Sequence, residues 1–239
     1  MNLGGDPPVL VACAHGTRDP GGRRLVAELA LAARRLRPGL TTTAAFVDVQ
    51  PPTVADVVAG LAAQGRPAVV VPLLLSGGYH VHVDIARAVQ AHDAARAARP
   101  LGPDPRLVAV LADRLAAAGA DPADTGTAVV LAAAGSSDPR SVADVAATAA
   151  LLRERQAGPV STGYGSTARP RVAEAVEAAR RAGAAQVVVA AYLLAPGHFH
   201  GRLAAAGADV VTAPLLPDDR IAAVLLDRYD AAVATTADA

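Results

Sequence analysis

The sequence predicts an α/β protein made of two tandem pseudo-repeat domains, each a doubly wound parallel β-sheet flanked by helices. Two observations lead to this prediction. Short runs of apolar and β-branched residues alternate with Ala-rich helical patterns along the chain, and βαβα alternation is typical of parallel sheets covered by helices. The second half of the sequence also repeats the first, as expected for a duplicated domain.

Strands are predicted where apolar runs are continuous, because a strand buried on both faces carries no alternating polar residues. The runs VVVPLLL and VVVAAYLL show this most clearly. In chain order, the predicted strands lie at 9–14, 42–47, 68–75, 107–110, 128–133, 159–164, 186–193 and 209–212. Helical patterns lie between them at 22–36, 52–64, 83–98, 139–156, 168–182 and 218–233.

The repeat is visible as identical residues at a nearly fixed distance. An offset of 118 places His80 on His198 and His82 on His200. Near the start of each half the offset is 119, so that HGTRDP at 15–20 falls on AGSSDP at 134–139. We therefore predict two domains, 1–120 and 121–239, joined near a stretch rich in Gly, Asp and Pro.

The composition argues against several classes of function. Lys plus Arg equals Asp plus Glu at 22 each, with 2 Phe, 4 Tyr and no Trp, so neither a basic field nor aromatic stacking favours nucleic acid as a partner. No apolar run approaches the roughly 20 residues that a membrane helix needs. No signal peptide is visible, and the single Cys13 has no disulfide partner. A cytoplasmic protein without nucleic-acid or membrane partners is expected.

Polar side chains follow three predicted strands of the first half. His15 follows the first strand, Asp48 the second, and His80 with His82 the third. In open parallel sheets, ligands bind beyond the carboxyl ends of the strands, so these side chains are expected at one rim. A lone histidine there is more often a loop residue or helix cap, but the combination favours a functional cluster.

Such a cluster suits metal chemistry. Imidazole binds divalent metals such as Fe²⁺, Co²⁺, Ni²⁺ and Zn²⁺, and neutral imidazole can accept a proton at cellular pH. Two histidines and one carboxylate leave coordination positions open, which is typical of reactive metal sites. The second half keeps His198 and His200 but has Ala134 where the first has His15. We therefore predict an active site in 1–120 and a partly lost site in 121–239.

Three motifs of the first half resemble those of the class II chelatases, which insert iron or cobalt into sirohydrochlorin in the siroheme and cobalamin pathways. They are HGTRD at 15–19, FVD at 46–48 followed by Pro52, and a strand and loop at 69–85 that contains GYHV and DI. The resemblance covers both halves, and long members of this family are duplicated in the same way. Asp48 stands where the family usually has Glu.

This resemblance implies a chelatase-like fold and a lyase that inserts metal without ATP. His15 and His80 are the expected catalytic pair, which bind the metal and accept pyrrole protons. Asp48 is expected to orient a histidine or assist proton removal, and His82 to be an auxiliary metal ligand or a residue at the start of a helix. The metal is a substrate, with Fe²⁺ favoured and Co²⁺ a close second. No organic cofactor is expected, and the chain has no ATP-binding loop.

The tetrapyrrole substrate implies a broad cleft with anion-binding groups. Sirohydrochlorin carries many carboxylates, which arginine binds well. Arg18, adjacent to the first strand-end motif, is the best candidate, and Ser136 and Ser137 in the second half are weaker ones. The expected partners are this tetrapyrrole and the metal, and the chain is expected to be a monomer or a homodimer.

Two other functions remain open at this point. A non-catalytic metal carrier or sensor would use the two H-x-H sites in series and would bind metal equally in both halves. A phosphate-binding enzyme would use the T-R-D-P and S-S-D-P turns, but the chain lacks a glycine-rich fingerprint. Mixing the protein with sirohydrochlorin and Fe²⁺ or Co²⁺ separates these functions.

Overall fold

The computed structural model describes residues 7–78 and 80–235, and of residues 80–82 it describes only the backbone. The elements of the first half, residues 1–120, are β1 (Val9–Ala14), α1 (Pro20–Leu36), β2 (Thr42–Phe46), α2 (Val54–Ala63), β3 (Ala68–Pro72), a π-helical turn (His80–Ile85), α3 (Ala86–Gln90), β4 (Ala95–Ala97) and α4 (Pro105–Ala117). Those of the second half, residues 121–239, are β5 (Thr127–Ala133), α5 (Pro139–Arg153), β6 (Val160–Tyr164), α6 (Val172–Arg181), β7 (Gln186–Tyr192), α7 (His198–Leu203), a 3-10 turn (Ala204–Ala206), β8 (Val210–Val211) and α8 (Asp219–Ala234). None of the helices within the described residues is both long and apolar enough to cross a membrane.

Each half forms one four-stranded parallel sheet. The strand order is β2-β1-β3-β4 in the first sheet and β6-β5-β7-β8 in the second, so equivalent strands occupy equivalent places. Strands β1, β3 and β5 are buried along their whole length, as expected for strands covered by helices on both faces. The predicted α/β fold with two tandem pseudo-repeats is confirmed.

The prediction of a strand at 107–110 was wrong. This apolar run lies inside α4, and the fourth strand is β4, at the end of the run 83–98 for which a single helix is expected. A short apolar run fits a buried helix as well as a buried strand. The start signal decides here, because the Asp104 side chain caps the helix by accepting from the backbone of Arg106, and Pro105 occupies its first turn.

The last helix of each half packs on the other half. Helix α4 lies against β7 and α5, whereas α8 lies against β3 and α1. The largest buried cluster accordingly contains residues of both sheets, such as Leu10 and Leu131, and of both exchanged helices, such as Leu111 and Ile221. The exchange of helices therefore buries apolar surface of both halves in one shared core.

The exchanged helices α4 and α8 are joined by two equivalent ion pairs, in which the arginine and the aspartate change places between the helices. Arg106 of α4 donates to Asp227 of α8 at 2.6 Å. The equivalent Arg220 of α8 donates to Asp113 of α4 at 2.5 Å. These pairs are partly exposed, so they contribute less to stability than the buried core, but they show that the repeat extends to side-chain contacts.

Candidate functional site

A cavity of about 910 Å³ lies between the two halves. Its lining comes from segments that follow β1, β2 and β3 in the first half and β5, β6 and β7 in the second. These are carboxyl ends of parallel strands, where open α/β sheets bind ligands. Of the seven predicted site residues, five line it: His15, Arg18, Asp48, Ser136 and Ser137.

His15 and Asp48 are neighbours because their two loops are joined through the backbone. Just beyond β1 and β2, the backbone N–H of Asp48 donates to the carbonyl oxygen of His15 at 3.1 Å. The Nδ1 atom of His15 lies 3.3 Å from the carbonyl oxygen of Gly16. The Asp48 carboxylate accepts from the backbone N–H of Val49 at 2.7 Å. A half-buried imidazole and an exposed carboxylate, on backbones that are hydrogen-bonded to each other, thus both line the cavity.

This close approach requires the glycine of the HGT motif. Gly16 has φ = +95°, and a Cβ atom there would lie 2.3 Å from the carbonyl oxygen of Asp48. Only glycine combines this conformation with such close backbone contact. Its counterpart Gly135 has φ = +86°, and a Cβ there would lie 3.2 Å from the carbonyl oxygen of Ser166. The glycines shared by the two repeats are therefore explained by backbone geometry.

The second half repeats the backbone of this site but not its chemistry. Ala134 occupies the position of His15, and Ser166 occupies that of Asp48. The backbone N–H of Ser166 donates to the carbonyl oxygen of Ala134 at 2.8 Å, and its hydroxyl donates to the same oxygen at 2.9 Å. At these two positions the second half therefore offers a methyl group and a hydroxyl in place of an imidazole and a carboxylate.

Two arginines line the cavity on the side of the first half. Arg18 is exposed at the cavity, and its role in binding substrate carboxylates stays a prediction. Arg23 lines the cavity as well, and its Nε donates to the carbonyl oxygen of Thr17 at 2.6 Å. The sequence did not predict Arg23 as a site residue. Its counterpart in the second half is Val142, so comparison of the two repeats gives no sign that the position is functional. A basic residue in the first turn of the helix after a strand-end motif is the signal that could have found it.

The second pair of histidines shares the same cavity. His198 and His200 both line it. The His200 Nε2 atom lies 3.1 Å from the carbonyl oxygen of Thr212, and the His198 ring packs edge-on against Phe199. Among the side chains that the structure describes, no group of three His, Cys, Asp or Glu could hold a metal ion.

The side chains of His80 and His82 lie outside the described residues, so their role as metal ligands stays a prediction. Their backbone begins the π-helical turn that follows β3. Residues 73–78, the loop that follows β3 and precedes this turn, line the cavity at most of their positions. A Cβ atom built on Gly78 would lie 3.1 Å from the Ser136 hydroxyl, so this loop reaches the second half just before His80.

Cys13 is the single cysteine of the chain and precedes His15 by two residues. Its environment makes it a poor metal ligand. It is fully buried in β1. Burial, and next the negative charge of Asp84, raise the pKa of its thiol to about 12. The thiolate is the form that binds metals, and at this pKa almost none exists at neutral pH. The imidazole and carboxylate groups that line the cavity are therefore better candidate metal ligands than this thiol.

Comparison with known proteins gives a matching family and solved structures with the same fold. The CbiX family matches residues 9–118 and again 128–232. SirB from Bacillus subtilis with Fe³⁺ has a TM-score of 0.77 and 20% identity, covering 97% of this chain and 98% of that one. The sirohydrochlorin chelatase SirB from Bacillus subtilis subspecies spizizenii in complex with cobalt has a TM-score of 0.71 and 21% identity, covering 94% of each chain. CbiX, the terminal enzyme for biosynthesis of siroheme in denitrifying bacteria, has a TM-score of 0.67 and 20% identity, covering 94% and 99%.

At these identities the solved structures establish a shared fold. No curated protein sequence matches the chain. The family match spans most of the chain in two successive copies, and the two copies coincide with the two parallel sheets. The chain therefore belongs to the CbiX family, within the class II chelatases.

Proposed function

We propose that the protein is a sirohydrochlorin chelatase, a lyase that inserts a divalent metal ion into the tetrapyrrole without ATP. The observation that carries the proposal is the pairing of His15 and Asp48 at adjacent strand ends, inside a cavity of about 910 Å³. A cavity of this size accommodates a macrocycle. Membership of the CbiX family supports the same reaction.

The proposed reaction requires a partly desolvated metal ion, a deformed ring and the removal of two pyrrole protons. His15 and His80 would bind the incoming metal as substrate and accept these protons. Asp48 would assist proton removal or orient a histidine, and its carboxylate is held in place by the Val49 N–H. His82 would serve as an auxiliary ligand. This role assignment places the active site in residues 1–120.

The substrate carboxylates would be bound on both sides of the cavity. Arg18 and Arg23 lie on the side of the first half, where a guanidinium group can bind a carboxylate through two hydrogen bonds. Ser136 and Ser137 lie on the opposite side and offer hydroxyl donors. This distribution would orient the ring so that one face meets His15 while its acidic edges contact both halves.

We propose Fe²⁺ as the physiological metal, with Co²⁺ second, and therefore a place in siroheme or cobalamin biosynthesis. Two structures with the same fold contain Fe³⁺ and cobalt respectively. Fe²⁺ and Co²⁺ prefer similar ligands. The physiological metal is therefore identified by measuring the insertion of each ion. The proposed location is the cytoplasm. One chain already supplies both halves of the cavity, which supports a functional monomer, with a homodimer as the alternative.

The experiment is metal insertion by the purified protein. Sirohydrochlorin is mixed with Fe²⁺ or Co²⁺ under anaerobic conditions, and the absorbance change of the macrocycle is followed. We expect His15→Ala to abolish insertion while circular dichroism shows an intact fold. His92→Ala is the matched control, because His92 does not line the cavity, and it should retain the wild-type rate.

Full activity of His15→Ala would overturn the assignment of this histidine. A wild-type protein that binds Fe²⁺ or Co²⁺ but never inserts either ion would instead be the metal carrier or sensor. That outcome further requires metal binding to be indifferent to the presence of the tetrapyrrole.

A further inference from the structure

Three consecutive residues of the loop that leads to His80, 75–77, make polar contacts with the second half of the chain. The backbone N–H of Gly77 donates to the Asp144 carboxylate at 2.7 Å. The hydroxyl oxygens of Ser76 and Ser141 lie 2.8 Å apart. Asp144 and Ser141 both belong to α5, three residues apart, so they lie on one face of that helix. Two consecutive loop residues are thus bound by one helix of the other half.

A third contact comes from β7 of the second half. The Tyr192 hydroxyl donates to the carbonyl oxygen of Leu75 at 3.0 Å. Thr148, one turn beyond Asp144 on α5, donates to the Tyr192 oxygen at 3.2 Å. Residues 75, 76 and 77 are therefore each held by a separate partner from the second half.

Asp144 and Ser76 are half-buried, whereas the other side chains of this network in the second half are buried. Ser141, Thr148 and Tyr192 are all at most 2% exposed. Burial raises the pKa of the Tyr192 hydroxyl, so this group stays protonated and remains a hydrogen-bond donor. A buried donor or acceptor that loses its partner is costly. The network therefore favours one position of the loop over alternatives.

The equivalent contacts do not recur around the second pair of histidines. The three polar positions of α5 are occupied on α1 by residues without polar side chains: Gly22, Leu25 and Leu29. The loop residues Ser76 and Gly77 correspond to Leu194 and Ala195, and Tyr192 corresponds to Leu74. The polar side chains thus hold only the loop of the half that kept the strand-end histidine His15.

We propose that Asp144 is a positioning residue for metal insertion, and that Ser141 and Tyr192 support it. Together they fix residues 75–77, which belong to the cavity-lining loop that leads to His80. This inference rests on the proposed function, because it assigns His80 to metal binding. Metal ligands must be held close to their productive geometry by their surroundings. The second half, which has Ala134 in place of a histidine, would thereby position a proposed metal ligand of the first half, which has His15.

The test compares two substitutions at Asp144 with a matched control. Asp144→Leu reproduces the residue of the other repeat, Leu25, whereas Asp144→Asn keeps one oxygen that can accept from Gly77. Asp209→Asn is the control, because the Asp209 carboxylate also accepts from a backbone N–H of the second half, that of Val187, at 2.7 Å. All three proteins are studied well below their unfolding temperatures.

Two measurements are made: the affinity of the protein for Co²⁺ alone, and the rate of Co²⁺ insertion into sirohydrochlorin. We expect Asp144→Leu to lose about tenfold in both, the range found for residues that orient metal ligands. Asp144→Asn should lose less, and Asp209→Asn should stay close to wild type. Unchanged Co²⁺ affinity and insertion rate in Asp144→Leu would overturn the positioning role.

Amide hydrogen exchange separates this inference from the proposed function. In Asp144→Leu the N–H of Gly77 loses its acceptor, so amides across residues 73–85 should exchange faster than in wild type and in Asp209→Asn. Equal exchange in all three proteins would show that Asp144 does not fix the loop. A wild-type protein that inserts no metal would overturn the proposed function, whatever the exchange result.

Discussion

The backbone N–H of Asp48 donates to the carbonyl oxygen of His15 at 3.1 Å, so the two groups proposed for metal insertion are joined by the pairing of adjacent strands. Ser166 and Ala134 repeat this contact at 2.8 Å in the second half. The spacing of the two positions is therefore a property of the sheet and does not depend on the side chains. This explains how one repeat could lose the imidazole and the carboxylate without losing its fold.

Replacing Gly16 by alanine should damage this junction more than the same change at Gly39. Both glycines have positive φ, +95° and +90°, so each substitution costs about 1–2 kcal/mol for the left-handed conformation. A Cβ at Gly39 meets no atom within 4 Å, whereas a Cβ at Gly16 lies 2.3 Å from the Asp48 carbonyl oxygen. Urea denaturation should show the larger loss of unfolding free energy for Gly16→Ala, and its metal insertion should also slow. Equal losses in the two variants would show that the close contact is relieved without cost.

Val49 is held in a conformation that its side chain disfavours. It has φ = +68°, where a β-branched residue is strained and asparagine is better tolerated. Its side chain is 40% exposed, so little packing is lost on substitution. We expect Val49→Asn to raise the unfolding free energy by about 1 kcal/mol. Val142→Asn is the control, because Val142 is 36% exposed in a regular helix and should gain nothing. A loss of stability at position 49 would contradict this explanation.

The rim of the first sheet could be predicted from the sequence because it follows from strand order. A histidine directly after β1 and an aspartate shortly after β2 must lie at the same edge when these strands are parallel and adjacent. The same reasoning applied to the repeat brought Ser136 and Ser137 to the opposite wall. The prediction of a strand at 107–110 was wrong because an apolar run of four residues is too short to show the period of a helix or of a strand. The helix cap at Asp104 was the signal that indicated a helix.

The residues that hold the loop before His80 could not be predicted in this way. Gly77 and Asp144 are 67 residues apart, and their contact depends on how α5 of one half packs against a loop of the other. In the sequence, Tyr192 belongs to an apolar run at the end of a predicted strand, and nothing there indicates a hydrogen bond of its hydroxyl. Such pairs are set by the packing of the two halves, for which local periodicity carries no information.

Cys13 should be inert toward thiol reagents in the folded protein. Burial and the charge of Asp84 raise the pKa of its thiol to about 12, and the thiolate is the reactive form. With a disulfide reagent at neutral pH we expect no labelling of the native protein and one equivalent after unfolding in urea, followed by absorbance. Rapid labelling of the native protein would contradict the burial of β1. Loss of metal insertion on addition of the reagent would likewise point to an accessible Cys13, since the chain has no other cysteine.

Acid should destabilise the exchanged helices through Asp104. Burial alone would raise the pKa of this carboxyl, but hydrogen bonds and charge from Arg106, with the charge of Arg228, lower it below its ordinary value of 3.8. A folded-state pKa below the unfolded one stabilises the protein above about pH 4, and this stabilisation is lost as the pH falls through the folded pKa. We expect Asp104→Asn to lower the unfolding free energy at pH 7 by about 3 kcal/mol, because the largely buried Arg228 loses its charged partner and keeps only backbone carbonyl acceptors.

The dependence on pH provides the sharper measurement for Asp104. Unfolding free energies from urea titrations between pH 7 and about pH 2 should fall less steeply for Asp104→Asn than for wild type, since the variant has one carboxyl fewer with a lowered pKa. Glu28→Gln is the control, because Glu28 pairs with Arg24 on the exposed face of α1, where such pairs contribute less than about 1 kcal/mol. It should leave both the stability and its acid dependence near wild type. An acid dependence of Asp104→Asn that matches wild type would place the lost stability in packing, not in the charge of this aspartate.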